Sequence, residues 1–127
     1  MKHTLLSLIP LLLSLLMSCQ ESMEDKAARA AADYTRKYCP TPVINYTRTD
    51  SVSFNKSTRT YTYYCTFSGP LDDPSVIATH REQLIQLLTS SVRESTHMKP
   101  YVEAGFRFQY VCRSEKSPRE VLLQLGF

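Results

Sequence analysis

The sequence predicts an α+β domain: an antiparallel four-stranded sheet carrying two helices, in the order α-β-β-α-β-β. Three observations lead there. Apolar residues recur at helical spacing in two segments, aromatic and β-branched residues alternate in four others, and Cys39-Pro40, Gly69-Pro70 and Asp73-Pro74 punctuate the boundaries. A sheet with one aromatic face must bury it, and helices laid on that face do so.

The first helix is read from Met23 to Tyr38, where Met23, Ala27, Ala30, Ala31, Tyr34 and Tyr38 form one stripe in an alanine-rich stretch. It stops at Cys39-Pro40, because proline restricts the residue before it and has no N–H to donate. Val43 to Phe54 and Thr60 to Phe67 are rich in Thr, Tyr, Val and Phe and flank a polar turn, which reads as a β-hairpin. In its second strand Tyr61, Tyr63, Cys65 and Phe67 share one face, with Thr60, Thr62, Tyr64 and Thr66 on the other. Asp73-Pro74 opens the second helix with a capping carboxylate and a first-turn proline. Ile77, Arg81, Leu84, Ile85, Leu88 and Val92 carry it to about Glu94. In the third strand Phe106, Phe108, Tyr110 and Cys112 face one way, and Arg107, Gln109, Val111 and Arg113 the other. Val121, Leu123, Leu125 and Phe127 alternate in the fourth.

The chain has 127 residues, with 15 basic and 12 acidic side chains and a net charge of +3, which suits a single small domain. The basic residues are scattered, so the electrostatic footprint of a nucleic-acid binder is absent. Ten of the thirteen residues from Leu5 to Met17 are Leu, Ile or Met, behind a positive Lys2. A thirteen-residue helix rises about 20 Å against a hydrocarbon core of about 30 Å, so the run reads as a secretory signal rather than a span.

Leu16-Met17-Ser18-Cys19 resembles the lipobox of bacterial lipoproteins. That resemblance implies removal of residues 1–18, a diacylglycerol thioether on Cys19 and palmitate-type acylation of the new amino terminus. Residues 19–22 then form an anchor and short tether, and residues 23–127 the domain. Acyl chains contribute about 0.8 kcal/mol per buried methylene, so such an anchor would be effectively permanent. Gln20, standing where an inner-membrane retention signal would place Asp, favours delivery to the outer membrane, on its periplasmic face or the cell surface. Glu21, Glu24 and Asp25 just beyond it are similar to the acidic export signals of some surface lipoproteins.

Cys39-Pro40, Asp50-Ser51-Val52, Tyr61-Thr62-Tyr63 and Gly105-Phe106-Arg107-Phe108-Gln109-Tyr110 resemble the pattern of a loose group of small bacterial envelope lipoproteins. The group's helix, Cys-Pro, hairpin, helix and aromatic strand implies the same fold and location, and lends no activity. Many members carry a further cysteine near the end of the second helix, where this chain has none, which leaves the disulfide pattern open.

With Cys19 lipidated, Cys39, Cys65 and Cys112 remain. Cys65 and Cys112 occupy the aromatic faces of their strands and can bridge if those strands are neighbours. Cys39 with either partner, or three thiols, are the alternatives. No Cys-x-x-Cys spacing exists, His80 and His97 have no partner at ligand spacing, and no glycine-rich loop is present, so neither metal nor cofactor is expected. No nucleophile-base motif stands out; Asp72-Asp73 is best explained by capping. Tyr64, with Arg107 and Arg113 on the polar face, is the candidate partner-binding patch. The expectation is a lipid-anchored, non-catalytic envelope module that binds a protein partner. The alternatives are a small envelope enzyme working through His80 or His97, and a secreted, disulfide-stapled ligand bearing sugars at Asn45 and Asn55.

Overall fold

The computed structural model describes residues 20–127; the predicted signal segment and Cys19 lie outside them. Helix α1 is Met23–Tyr38, followed by strands β1 Thr47–Asn55 and β2 Thr60–Phe67. A 3₁₀ turn at Gly69–Leu71 leads to α2 Pro74–Thr79, α3 Arg81–Arg93 and α4 Lys99–Glu103, and then to β3 Arg107–Ser114 and β4 Val121–Gly126. The strands form one sheet in the order β1-β2-β3-β4, and the α+β class holds. No helix among the described residues is long and apolar enough to cross a membrane.

The sheet is mixed rather than wholly antiparallel. β1 with β2 and β3 with β4 are antiparallel, but the central pair, β2 and β3, runs parallel with Tyr63 opposite Tyr110 and Cys65 opposite Cys112. Parallel neighbours need a long crossover, and the helical segment between β2 and β3 is that crossover. The expected second helix is broken at His80 into α2 and α3. The Thr79 hydroxyl donates to the Ser75 carbonyl at 2.9 Å, a contact that bends helices. The break also lets Arg81 leave the apolar stripe, whose buried members are Ile77, Leu88 and Val92. The stretch read as a polar connection contains the short helix α4.

One strand boundary and one register also differ from expectation. β1 begins at Thr47, because Ile44 to Thr47 form a tight turn in which each N–H donates to the other's carbonyl, at 2.9 and 3.0 Å. Asn45 and Tyr46 take positive φ there, 52° and 61°, as a two-residue hairpin turn of the mirror-image type requires. Gly69, at φ +56°, permits the close approach of the Tyr46 ring; a Cβ at Gly69 would lie 3.0 Å from it. In β4 the register shifts beside Arg113, which places Val121 on the exposed face, apart from Leu123 and Leu125.

Helices cover one face of the sheet. Ala27 and Ala31 of α1 are 0% and 1% exposed, so the helix backbone lies close against the strands. Ser22 caps α1 by accepting the Asp25 N–H at 3.1 Å. The acidic trio just past Cys19 is consumed in ion pairs: Glu21 with Arg29 at 2.9 Å, Glu24 with Arg59 at 3.1 Å and Asp25 with Lys56 at 2.7 Å. The last two hold the start of α1 against the β1–β2 turn. Phe67, Leu123, Val92 and Cys112 are the largest fully buried side chains. Around them runs an aromatic ladder in which Tyr63 stacks on Tyr110 at 4.7 Å, with Tyr61, Phe54, Phe106 and Phe108 beside them.

The β1 edge of the sheet is occupied from within the chain. On β1 the Thr35 hydroxyl accepts the Val52 N–H and donates to the Val52 carbonyl, both at 2.9 Å. Thr41 serves the Thr49 N–H through its hydroxyl and the Thr49 carbonyl through its N–H, again both at 2.9 Å. The chain leaving α1 thus occupies hydrogen-bonding groups that an exposed edge would offer to another strand.

Candidate partner-binding groove

The helical cover is incomplete. Between the C-terminal half of α1 and the Ser95 to Tyr101 segment lies a groove of about 790 Å³, lined by Tyr34, Tyr38, Ile44, Tyr61, Met98 and Tyr101, with Asp33, Lys37 and His97 on its polar margin. It continues into a narrower recess of about 250 Å³ that reaches Val52, Tyr63, Val92 and Tyr110. Tyr34 and Met98 border both.

Three local features build this groove. The apolar stripe of α1 continues for a turn beyond the part that packs on the sheet, so Tyr34 and Tyr38 are 40% and 62% exposed, their rings 5.3 Å apart. The tight turn at Asn45 and Tyr46, held by the Ser68 N–H donating to the Tyr46 carbonyl at 2.9 Å, presents Ile44 with 68% exposure. On the far side the short helix α4 sets Tyr101 stacked on Phe106 at 5.9 Å. A positive φ at a bulky aromatic such as Tyr46 is sterically costly, and such strain collects at working surfaces.

The electrostatics of the groove floor are those of neutral phenols. Burial pushes the Tyr61 and Tyr63 hydroxyls well above their ordinary range and Tyr110 up to about 12. The Tyr110 hydroxyl is 3.1 Å from the Ser91 hydroxyl. An uncharged, aromatic floor with a wet rim can exclude water from an apolar segment and hydrogen-bond its flanks.

The side chains singled out in the sequence fall elsewhere. Tyr64, Arg107 and Arg113 do share the uncovered face of the sheet, Tyr64 at 38% exposure. Their register positions spread them, however: along the strands Arg107 lies about 13 Å from Tyr64 and Arg113 about 7 Å. Cys65 and Cys112 are adjacent, in register and buried, and are free thiols here, as is Cys39. The neighbouring Cys65 and burial hold the Cys112 proton above its ordinary range. Burial, then the nearby Asp50 and Cys65, raise Cys39. His80 is exposed, with Nδ1 3.1 Å from Gln83 Oε1, and His97 is an exposed turn residue on the groove margin. Asp73 caps α2 by accepting the Ser75 N–H at 2.8 Å. Asp72 instead ties the β3–β4 turn, accepting from the Ser114 hydroxyl and, at 3.0 Å, from the Lys116 N–H. Among the described residues no three His, Cys, Asp or Glu side chains cluster as a metal site.

The family model described as Domain of unknown function (DUF8479) matches residues 22–123, which includes α1, the whole crossover and both groove walls. The chain belongs to the DUF8479 family. No curated protein matches the sequence. Three solved structures share the DUF8479 fold at low identity. A Pseudomonas aeruginosa protein described as secreted is 10% identical, with a TM-score of 0.63, covering 85% of this chain and 95% of its own. The type II secretion pilotin AspS of Vibrio cholerae is 14% identical, with a TM-score of 0.62 and coverages of 82% and 86%. The pilotin EpsS of Vibrio vulnificus is 11% identical, with a TM-score of 0.60 and coverages of 81% and 84%. At these identities the likeness is one of fold.

Sequence reasoning did not find the groove of this DUF8479 chain, because Tyr34 and Tyr38 belong to a stripe that reads as core throughout, and Ile44 reads as strand. A signal was present in length: the α1 stripe continues to Tyr38, past the alanines that pack on the sheet, so its end has nothing to cover.

Proposed function

We propose that this DUF8479 chain is a lipid-anchored, non-catalytic envelope module that captures an apolar segment of a protein partner in the groove between α1 and α4. The observation that carries it is the continuous aromatic groove, whose rim exposes Tyr34, Tyr38 and Ile44. Contiguous exposed apolar surface of this kind marks interaction sites. The fold shared with pilotins of type II secretion systems supports an assembly role in the envelope. In this reading residues 1–18 are removed, Cys19 carries the lipid, and residues 19–22 tether a domain whose α1 starts immediately afterwards. The tether is so short that the β1–β2 turn, ion-paired to the start of α1, lies toward the bilayer and the groove toward the aqueous side.

The test places a photo-crosslinking amino acid at Tyr38 or Ile44 in intact envelopes, with Val121 on the opposite face as control. A discrete adduct from the groove positions, absent from Val121 and abolished by Tyr34→Glu, is the expected result; equal labelling from all three positions rejects the groove. In the same cells Cys19→Ser is expected to lose metabolic palmitate labelling and membrane retention.

A further inference from the structure

The face of the sheet that no helix covers carries a second recess, of about 420 Å³, distinct in chemistry from the groove. It is lined by Ser53 and Asn55 of β1, Thr58 of the turn, Thr60, Thr62 and Tyr64 of β2, and Arg107 and Gln109 of β3. Apart from Tyr64 every lining side chain is a hydroxyl, an amide or a guanidinium. Thr62 is 8% exposed on a face without a helical cover, and its hydroxyl donates to Gln109 Oε1 at 3.5 Å, so the floor is a fixed surface. Among the described residues the Ser53 hydroxyl, Gln109 Nε2 and the Arg107 guanidinium make no hydrogen bond to the chain and remain available to a ligand.

The charge on this face is positive on balance. Arg48, Arg107 and Arg113 lie on it, against a single strand carboxylate, Asp50. Asp50 is occupied by Arg48 Nε at 2.7 Å and by the Thr66 hydroxyl, while Arg107 and Arg113 have no carboxylate partner among the described residues. A ligand for such a face must be anionic, must offer many hydroxyl groups to meet Ser, Thr, Asn and Gln, and must present a weakly polar C–H surface to the negative face of the Tyr64 ring. Sugar rings bearing carboxylates meet all three conditions: their axial C–H groups pack on the phenol, and a planar guanidinium pairs with the carboxylate through two hydrogen bonds.

We infer that the recess between Tyr64 and Arg107 is a binding site for an anionic glycan, with Tyr64 as the stacking platform and Arg107 as the carboxylate partner. It lies on the face opposite the groove, so the two sites operate separately. The experiment titrates the mature chain with trigalacturonate, following backbone amide shifts by NMR, with maltotriose as the neutral sugar and triglutamate as the anion without sugar rings. Trigalacturonate is expected to shift residues of β1 to β3 on the open face, and at least about tenfold more weakly in Tyr64→Ala and in Arg107→Gln. Tyr64→Phe, which keeps the ring, and Tyr38→Glu in the groove are expected to bind as the unaltered chain does. Equal binding of maltotriose or of triglutamate, absence of binding, or full affinity in folded Tyr64→Ala would each overturn the assignment. An intact groove crosslink beside a failed glycan titration would remove this site and leave the protein-binding reading standing.

Discussion

At the scale of single residues, a few side chains close gaps that the backbone leaves open. The Thr35 hydroxyl is both acceptor and donor for Val52, on the outer edge of β1. Thr35→Val preserves shape and strands both backbone groups, so it should lower stability by about 1–3 kcal/mol, read as a fall in the urea midpoint. The cysteines give a second residue-level prediction. In the thiol form Cys65 and Cys112, 2% and 0% exposed, should resist alkylation until the domain unfolds, while the partly exposed Cys39 reacts first. We propose that in an oxidising compartment Cys65 and Cys112 pass two protons and two electrons to an envelope disulfide donor and bridge. Mass spectrometry would then find the intact chain lighter by two hydrogens, with a stability gain of roughly 3–4 kcal/mol over the reduced form. At this scale the sequence was informative where a residue's face follows from alternation alone: Tyr64, Arg107 and Arg113 were assigned to the open face by period two, and they lie there. It was silent on how far apart register would hold them.

At the scale of elements, α1 depends on small side chains beneath it. Ala27→Leu inserts a branched side chain where none fits, and should cost about 1–3 kcal/mol and lower the melting temperature. A substitution at the exposed Leu87 of α3 should cost far less, which makes it a fair control. The helices and strands were legible because their periods are strong and their boundaries are marked by Asp73 and the prolines. What misled was the connection. Two hairpins with a helix between them suggest a wholly antiparallel sheet, yet a strand, a long helical stretch and another strand is also the formula for a parallel pair. Hydrophobic pattern alone does not separate these, since either arrangement buries the same aromatic face. The break at His80 was hidden for a related reason: Thr79 bends the helix through its own backbone contact, which leaves the apolar spacing on both sides intact.

At the scale of the whole molecule, pH limits the fold from both sides. Tyr110, raised to about 12 by burial, binds its proton more tightly folded than unfolded, as Tyr61 and Tyr63 also do. That stability is fully present below the unfolded tyrosine value near 10 and is lost as pH rises toward the folded one, so urea midpoints should fall steeply above about pH 10. Asp72 and Asp73 behave oppositely. Hydrogen bonds from Ser114 and Ser75 hold their carboxylates below the ordinary range, so their contribution is present above about pH 4 and fades on further acidification. Flat midpoints across the alkaline range, with tyrosinate absorbance rising before unfolding, would contradict the buried phenols. The parallel centre of the sheet has a further consequence, for the order of assembly. Every pair between β2 and β3 joins residues 47 positions apart, Thr60 with Arg107 at one end and Phe67 with Ser114 at the other. Nothing local can form that contact, so folding waits on closure of the entire crossover and is slow for a domain of this size. A chain delivered amino end first holds α1 and the first hairpin without a core until β3 emerges. In the export route proposed above, that delay keeps the early segments threadable until nearly all of the chain has crossed.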